Sequence, residues 1–133
     1  GGSSLGKQRA AAAKRLMDAC MAEPFYVAGS GKADTRLMGL ASGRIFVKTG
    51  AEAVYCAAVP ELGFGIALKC DDGTERGSEA MVAAVLARLL AHDKDLAAKL
   101  TALSHPAVKT RKGVDVGVIR PTAALTETVC AVV

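Results

Sequence analysis

The chain has 133 residues, of which 51% are hydrophobic and 23% are charged. This length fits one compact domain, and the apolar content is enough to bury a core, which excludes a wholly disordered chain. No apolar run reaches the roughly 18 residues that a membrane-spanning helix needs, so we expect no membrane partner. The net charge is +4, with three Phe, two Tyr and no Trp. Because the basic residues are dispersed and few aromatic rings are available for base stacking, we expect no nucleic-acid partner.

The four cysteines carry no metal-binding or disulfide signature. None of them forms a C-x-x-C pair, and neither His92 nor His105 stands at ligand spacing from a cysteine. Three of them, Cys20, Cys56 and Cys70, lie in apolar patterns that suit buried thiols. We therefore expect no metal or other cofactor held by this chain alone, reduced cysteines and a cytoplasmic location.

The first elements are helical. Residues 1–4 (Gly-Gly-Ser-Ser) resemble a cloning scar or linker, so we take the domain as residues 5–133. An apolar stripe at helical spacing predicts a helix over residues 7–22. The glycines of residues 28–32 predict a loop, and Asp34 is then predicted to cap a short helix over 34–41.

Strand patterns follow over residues 44–48, 53–59 and 64–70. The tight turns between them force antiparallel pairing, so the sequence predicts a three-strand meander. Apolar residues at helical spacing then predict two helices, over 74–90 and 93–103.

The last part of the chain predicts a fourth strand over residues 113–119, and residues 128–133 have the composition of a strand that pairs at a sheet edge. Asp71-Asp72-Gly73 predicts a turn before a helix capped by Thr74, because the later ligands of a calcium loop are missing. The order of elements predicts an α+β fold, with an antiparallel sheet (three-strand meander plus a later strand) packed against helices.

The sharpest motif is Lys48-Thr49-Gly50, at the exit of the first strand. In penicillin-recognising serine enzymes a K-T-G on a strand lines the active site. The lysine charge stabilises an ionised nucleophile, the threonine hydroxyl can bond a substrate carboxylate, and the glycine lets substrate approach the backbone. The tripeptide alone also fits a surface lysine before a hairpin turn.

Several motifs in order resemble the rhizobial-type (thermolabile) L-asparaginases, and the similarity extends over residues 5–125. The matching stretches are residues 28–32 (AGSGK), 34–38 (DTRLM), 43–56 (GRIFVKTGAEAVYC), 60–63 (PELG), 65–73 (GIALKCDDG) and Arg120-Pro121.

The resemblance implies a fold related to serine β-lactamases and glutaminases, and hydrolysis of L-asparagine to L-aspartate and ammonia. It implies two catalytic Ser–Lys pairs, one lysine of which is Lys48, and a zinc ion held by two cysteines and a lysine in the full-length enzyme. The family's nucleophile and metal ligands lie in an N-terminal part that is missing here. Ser4-Leu-Gly-Lys7 spells S-x-x-K but straddles the scar, so we expect the chain alone to be inactive.

Other candidates lie around this motif. Ser30 and Asp34 are expected to contact the substrate together with Thr49 and Gly50, although their loop is equally suited to joining two helices. Glu52 is expected either to pair with Lys48 or Arg44, and so tune the charge of the lysine, or to be an ordinary turn carboxylate.

Three functions remain open. The first is the C-terminal segment of an asparaginase acting on L-asparagine with the missing N-terminal part. The second is a non-catalytic interaction or dimerisation module, and the third is another Ser–Lys amidohydrolase, a glutaminase or a β-lactamase relative. Because a truncated meander leaves an uncovered edge, we expect a homo-oligomer.

Overall fold

The computed structural model describes residues 4–130 and has an α+β architecture, as the sequence predicts. Its helices are α1 (Lys7–Ala22), α2 (Phe25–Ala28), α3 (Ala33–Ala41), α4 (Glu75–Leu89), α5 (Lys94–Leu103) and α6 (Ala123–Cys130). Its strands are β1 (Phe46–Thr49), β2 (Val54–Val59), β3 (Phe64–Lys69), β4 (Ala107–Lys109) and β5 (Asp115–Val118). The described chain forms two compact units, the first made of residues 4–50 and 54–67 and the second of residues 51–53 and 68–130.

The first unit contains the predicted meander. The three strands lie in the order β1-β2-β3, and β1 runs antiparallel to β2. Phe46 lies opposite Ala58 at one end of this pair, and Thr49 lies opposite Tyr55 at the other. Because the turn after β1 is short, the register leaves Lys48 and Thr49 at the very exit of the strand.

The core of the first unit forms where α3 packs on β1. Its most buried side chains are Leu37, Met38, Ile45, Val47, Tyr55 and Val59. One face of α3 carries residues at helical spacing, namely Asp34, Leu37, Met38 and Ala41, and all four are buried. The buried face of this helix therefore includes a carboxylate among apolar side chains.

The second unit is built on α4, which packs against α5 and α6. Asp93, where the sequence predicts the helix to start, caps α5, since its carboxylate accepts a hydrogen bond from the Leu96 N–H at 3.1 Å. The start of α4 passes so close to Cys70 that a Cβ added at Gly77 would overlap the cysteine sulfur. A side chain at position 77 would therefore force the Cys70 side chain to move.

Three local predictions differ from the structure. The later strand β5 does not extend the meander but pairs with β4, a three-residue strand too short for its pattern to stand out. Residues 128–130 belong to α6 instead of an edge strand, and residues 131–133 lie outside the described part. Asp34 is not the cap of α3, because the helix begins one residue earlier, with Lys32 at the cap position.

Asp72 organises the turn before α4. Thr74 occupies the cap position as predicted, but its hydroxyl lies 2.8 Å from both carboxylate oxygens of Asp72 and does not cap the helix. The Asp72 carboxylate also accepts hydrogen bonds from the Thr74 N–H at 2.8 Å and the Cys70 thiol at 3.1 Å. These hydrogen bonds lower the pKa of Asp72 to about 2, and the bond from the Thr74 N–H has the largest effect.

We predict that the Asp72 carboxyl titrates near pH 2 in the folded chain and at a higher pH in a Thr74→Ala variant, because the hydroxyl donor is lost. Since the folded pKa lies below the ordinary value of 3.8, this carboxylate stabilises the fold above about pH 3.8, and the contribution is lost as the pH falls towards 2. Carboxyl-detected NMR titration measures both values.

The control for this titration is the Thr101→Ala variant. The Thr101 hydroxyl donates a hydrogen bond to the Ala97 carbonyl on α5, and its loss should leave the Asp72 titration unchanged. An Asp72 midpoint near 3.8 in the unmodified chain would contradict the assignment.

Candidate active site

Lys48 lies exposed at the end of β1, at the position expected from the sequence. Its ammonium nitrogen donates a hydrogen bond to the Thr49 carbonyl oxygen at 2.8 Å. The next N–H, that of Gly50, donates to the Val54 carbonyl at 2.8 Å and closes the turn between β1 and β2. The lysine thus lies on the exposed side of a strand end whose backbone is fixed by the hairpin.

The carboxylate of Asp34 binds the same strand end from the buried side. Its Oδ1 accepts a hydrogen bond from the Thr49 N–H at 2.8 Å, and its Oδ2 accepts one from the Tyr55 hydroxyl at 2.6 Å. Asp34 and Tyr55 are each only 1% exposed. The carboxylate therefore joins helix α3 to both strands of the hairpin at the register pair of Thr49 and Tyr55.

Tyr55 is the residue of this cluster that the sequence analysis missed. Tyr55 is buried on β2, and its partner Asp34 lies 21 residues away in the sequence, so only the folded structure shows that the two side chains meet. For Asp34 itself a signal was present, because its spacing to Leu37, Met38 and Ala41 places it on the core-facing stripe of α3.

The Thr49 side chain is placed differently from the lysine. Its hydroxyl oxygen is buried and has no hydrogen-bond partner among the residues that the structure describes. A buried unpaired hydroxyl costs about 1–3 kcal/mol. The N–H and the carbonyl of Thr49 both take part in hydrogen bonds, whereas its hydroxyl is buried without a partner among the described residues.

The loop before α3 is shaped by two glycines in the left-handed region, Gly29 (φ 88°) and Gly31 (φ 73°). The Thr35 hydroxyl donates to the Gly29 carbonyl at 2.7 Å and so ties the loop to the first turn of the helix. Ser30 lies exposed between the two glycines. The same helix turn therefore fixes both the loop that carries Ser30 and the carboxylate of Asp34.

Arg44, one of the two cations predicted as partners of Glu52, pairs with another carboxylate. Arg44 makes a two-point ion pair with Glu61, with nitrogen–oxygen distances of 2.8 and 2.9 Å. Glu52 and Ala53, directly after the motif, both have left-handed backbones (φ 53° and 58°). Such strain is unusual for residues with side chains and is concentrated at functional sites.

The cysteines lie differently from the expectation of buried thiols. Cys56 lies exposed directly opposite Lys48 on β2, because strand alternation places both side chains on the outer face. Cys20 and Cys70 are half-buried, and all three are free thiols.

Residues 4–130 contain no group of three His, Cys, Asp or Glu side chains close enough to hold a metal ion. Nor does any helix within this part have the length and apolar character to cross a membrane.

We predict that Cys56 is alkylated by iodoacetamide faster than Cys70 at mildly alkaline pH. The hydrogen bond that the Cys70 thiol donates to Asp72 is the main cause of its raised pKa, and the thiolate is the reactive form. Mass spectrometry of the separated peptides gives both rates. Asp72→Asn should accelerate Cys70 and leave Cys56 unchanged, whereas a faster Cys70 in the unmodified chain would refute the prediction.

The comparison with known families gives a long match. The sequence model of the family described as L-asparaginase II matches residues 2–121, which include the loop around Ser30, the buried Asp34 and the Lys48-Thr49-Gly50 strand end. A search of curated proteins found no match. The family match extends over most of the chain and supports an amidohydrolase function of the asparaginase type. The chain therefore belongs to the L-asparaginase II family.

Proposed function

We propose that this chain supplies the K-T-G lysine, Lys48, to the hydrolysis of L-asparagine to L-aspartate and ammonia by Ser–Lys acyl transfer. In this reaction a lysine-activated serine attacks the carboxamide carbon, ammonia leaves, and water releases aspartate from the acyl-enzyme. The serine comes from polypeptide outside these 133 residues, so the isolated chain is inactive. The fold of the whole enzyme is that of the serine β-lactamases and glutaminases.

The observation that carries the proposal is the placement of Lys48 in a chain of this family. Its ammonium lies on the exposed face at a strand exit, while the backbone beside it is held by a buried carboxylate. A catalytic lysine needs access to the reacting atoms and a fixed origin, since misplacement by about 1 Å can cost 100-fold in rate. A surface lysine before an ordinary turn needs neither.

The remaining candidates have subsidiary roles in the proposal. Gly50 is exposed and leaves the backbone open to the substrate, and Ser30 faces solvent from its glycine loop. Thr49 supplies its buried hydroxyl once the partner polypeptide or the substrate brings an acceptor. Zinc would be held by the N-terminal part of the enzyme, and no step here depends on it. The free thiols are consistent with a reducing, cytoplasmic compartment.

We predict that this chain, co-expressed with the N-terminal part of an L-asparaginase II protein, releases ammonia from L-asparagine. Lys48→Ala should lower kcat by about 10²- to 10⁴-fold, the range for loss of a group that transfers protons in the reaction. Coupled ammonia detection measures the rate for L-asparagine and for L-glutamine in parallel.

The matched control is Lys99→Ala, which removes an exposed lysine that pairs with Asp95 on α5, and its activity should equal that of the unmodified complex. Equal activity in the Lys48→Ala complex would refute the role of Lys48. A complex that hydrolyses L-glutamine alone would favour the glutaminase alternative, and an isolated chain with turnover would refute the need for a partner.

We also propose that the isolated chain associates with itself. The meander has two edge strands, β1 and β3, and uncovered edges with apolar side chains pair with other copies. Light scattering should therefore give at least a dimer. Ala67→Lys places a charge at an exposed position of β3 and should yield monomers, whereas Ala98→Lys on α5 should not. A monomeric unmodified chain would contradict this assembly.

A further inference from the structure

We propose that Asp34 is a positioning residue for Lys48 and acts through the peptide group that joins Lys48 to Thr49. This inference rests on the proposed function, in which Lys48 is catalytic. It gives Asp34 a role different from the substrate contact expected from its place in the sequence.

Because Asp34 is buried, its carboxylate does not contact a substrate in this arrangement. The residue is 1% exposed, and each carboxylate oxygen accepts a short hydrogen bond from a protein donor. A buried carboxylate is tolerated only when such donors satisfy it. Asp34 therefore acts on the two groups that it binds, the Thr49 N–H and the Tyr55 hydroxyl.

The Thr49 N–H belongs to the peptide plane that directly follows Lys48. Because this plane is rigid, a bond from its N–H to a fixed carboxylate sets the orientation of the backbone from which the lysine side chain leaves. The lysine ammonium then returns to the Thr49 carbonyl, on the next peptide plane, at 2.8 Å. Both peptide groups of Thr49 thus take part in placing the ammonium, one through Asp34 and one through Lys48 itself.

Tyr55 gives the carboxylate its second point of attachment. It lies opposite Thr49 in the antiparallel pair, and its hydroxyl is 2.6 Å from Oδ2 of Asp34. Since side chains alternate along a strand, Lys48 and Cys56 lie on the exposed face of the hairpin and Tyr55 lies on the buried face, where its hydroxyl meets Asp34 of α3. The carboxylate therefore controls the lysine from the opposite face of the hairpin, through the backbone alone.

Acylation of the lysines with acetic anhydride tests the placement of Lys48 in the chain itself. Peptide mass spectrometry then measures how far each lysine has reacted. Lys48 is scored relative to Lys99, an exposed lysine paired with Asp95. Asp34→Asn, which loses one acceptor, should raise the Lys48 to Lys99 ratio by about fivefold, the equivalent of one hydrogen bond. Tyr55→Phe should raise it by a smaller factor, and Tyr26→Phe, an exposed tyrosine, should not change it.

General destabilisation would raise the acylation of both lysines and leave their ratio constant, so the ratio separates positioning from folding. If Asp34→Asn does not fold, as judged by circular dichroism, Tyr55→Phe decides alone. An unchanged ratio in every folded variant of the cluster would overturn the inference.

The catalytic side is tested in the complex with the N-terminal part of the enzyme. Asp34→Asn should lower kcat by about tenfold and leave KM within about twofold, because misplacing the lysine affects the transition state more than substrate binding. A complex that is inactive without any substitution would refute the proposed function while the acylation result still decides the positioning role. An active complex that loses activity in Lys48→Ala but keeps its kcat in Asp34→Asn would overturn this inference and leave the proposed function intact.

Discussion

The first unit of this protein depends on one buried carboxylate. Taking a charged group out of water costs several kcal/mol unless its oxygens are hydrogen-bonded, so Asp34 can be buried only where two donors meet it. The Thr49 N–H and the Tyr55 hydroxyl meet this requirement, and they do so only when α3 lies against the β1–β2 hairpin in one register. A shift of one residue would turn Tyr55 to the opposite face and leave the carboxylate without its second donor.

This constraint explains why the strand end has two chemically different faces. On the buried side, the polar groups are satisfied by one another, apart from the Thr49 hydroxyl. On the exposed side, Lys48 and Cys56 face solvent. A hydrogen-bonded inner cluster under an exposed outer face suits an active site, because it holds the backbone origin of a side chain in place while leaving its end accessible.

The sequence predicted those features that depend on short-range periodicity. The helix over 7–22 and the three-strand meander follow from apolar spacing and turn residues, and the structure confirms both. Asp34 was expected to cap its helix, since an aspartate before a helical pattern is the usual signal for a cap. Its spacing to the apolar residues of α3, which places it on the buried face of the helix, was the more reliable signal. Its bond to Tyr55 was not predictable, because no local pattern specifies which hydroxyl a buried carboxylate will find 21 residues away.

The proposed role of Lys48 calls for a fixed backbone, because its side chain is long. A free lysine has about 2 kcal/mol of rotamer entropy to lose when its ammonium is held in one place. Anchoring the backbone does not remove that entropy cost, but it leaves only the side-chain rotamers free to move the ammonium. The hydrogen bond to the Thr49 carbonyl restricts those rotamers further. The K-T-G sequence alone supplies the lysine and the turn. The distant Asp34 and Tyr55 hold the strand end through the Thr49 N–H, and so the proposed chemistry of the tripeptide depends on residues outside it.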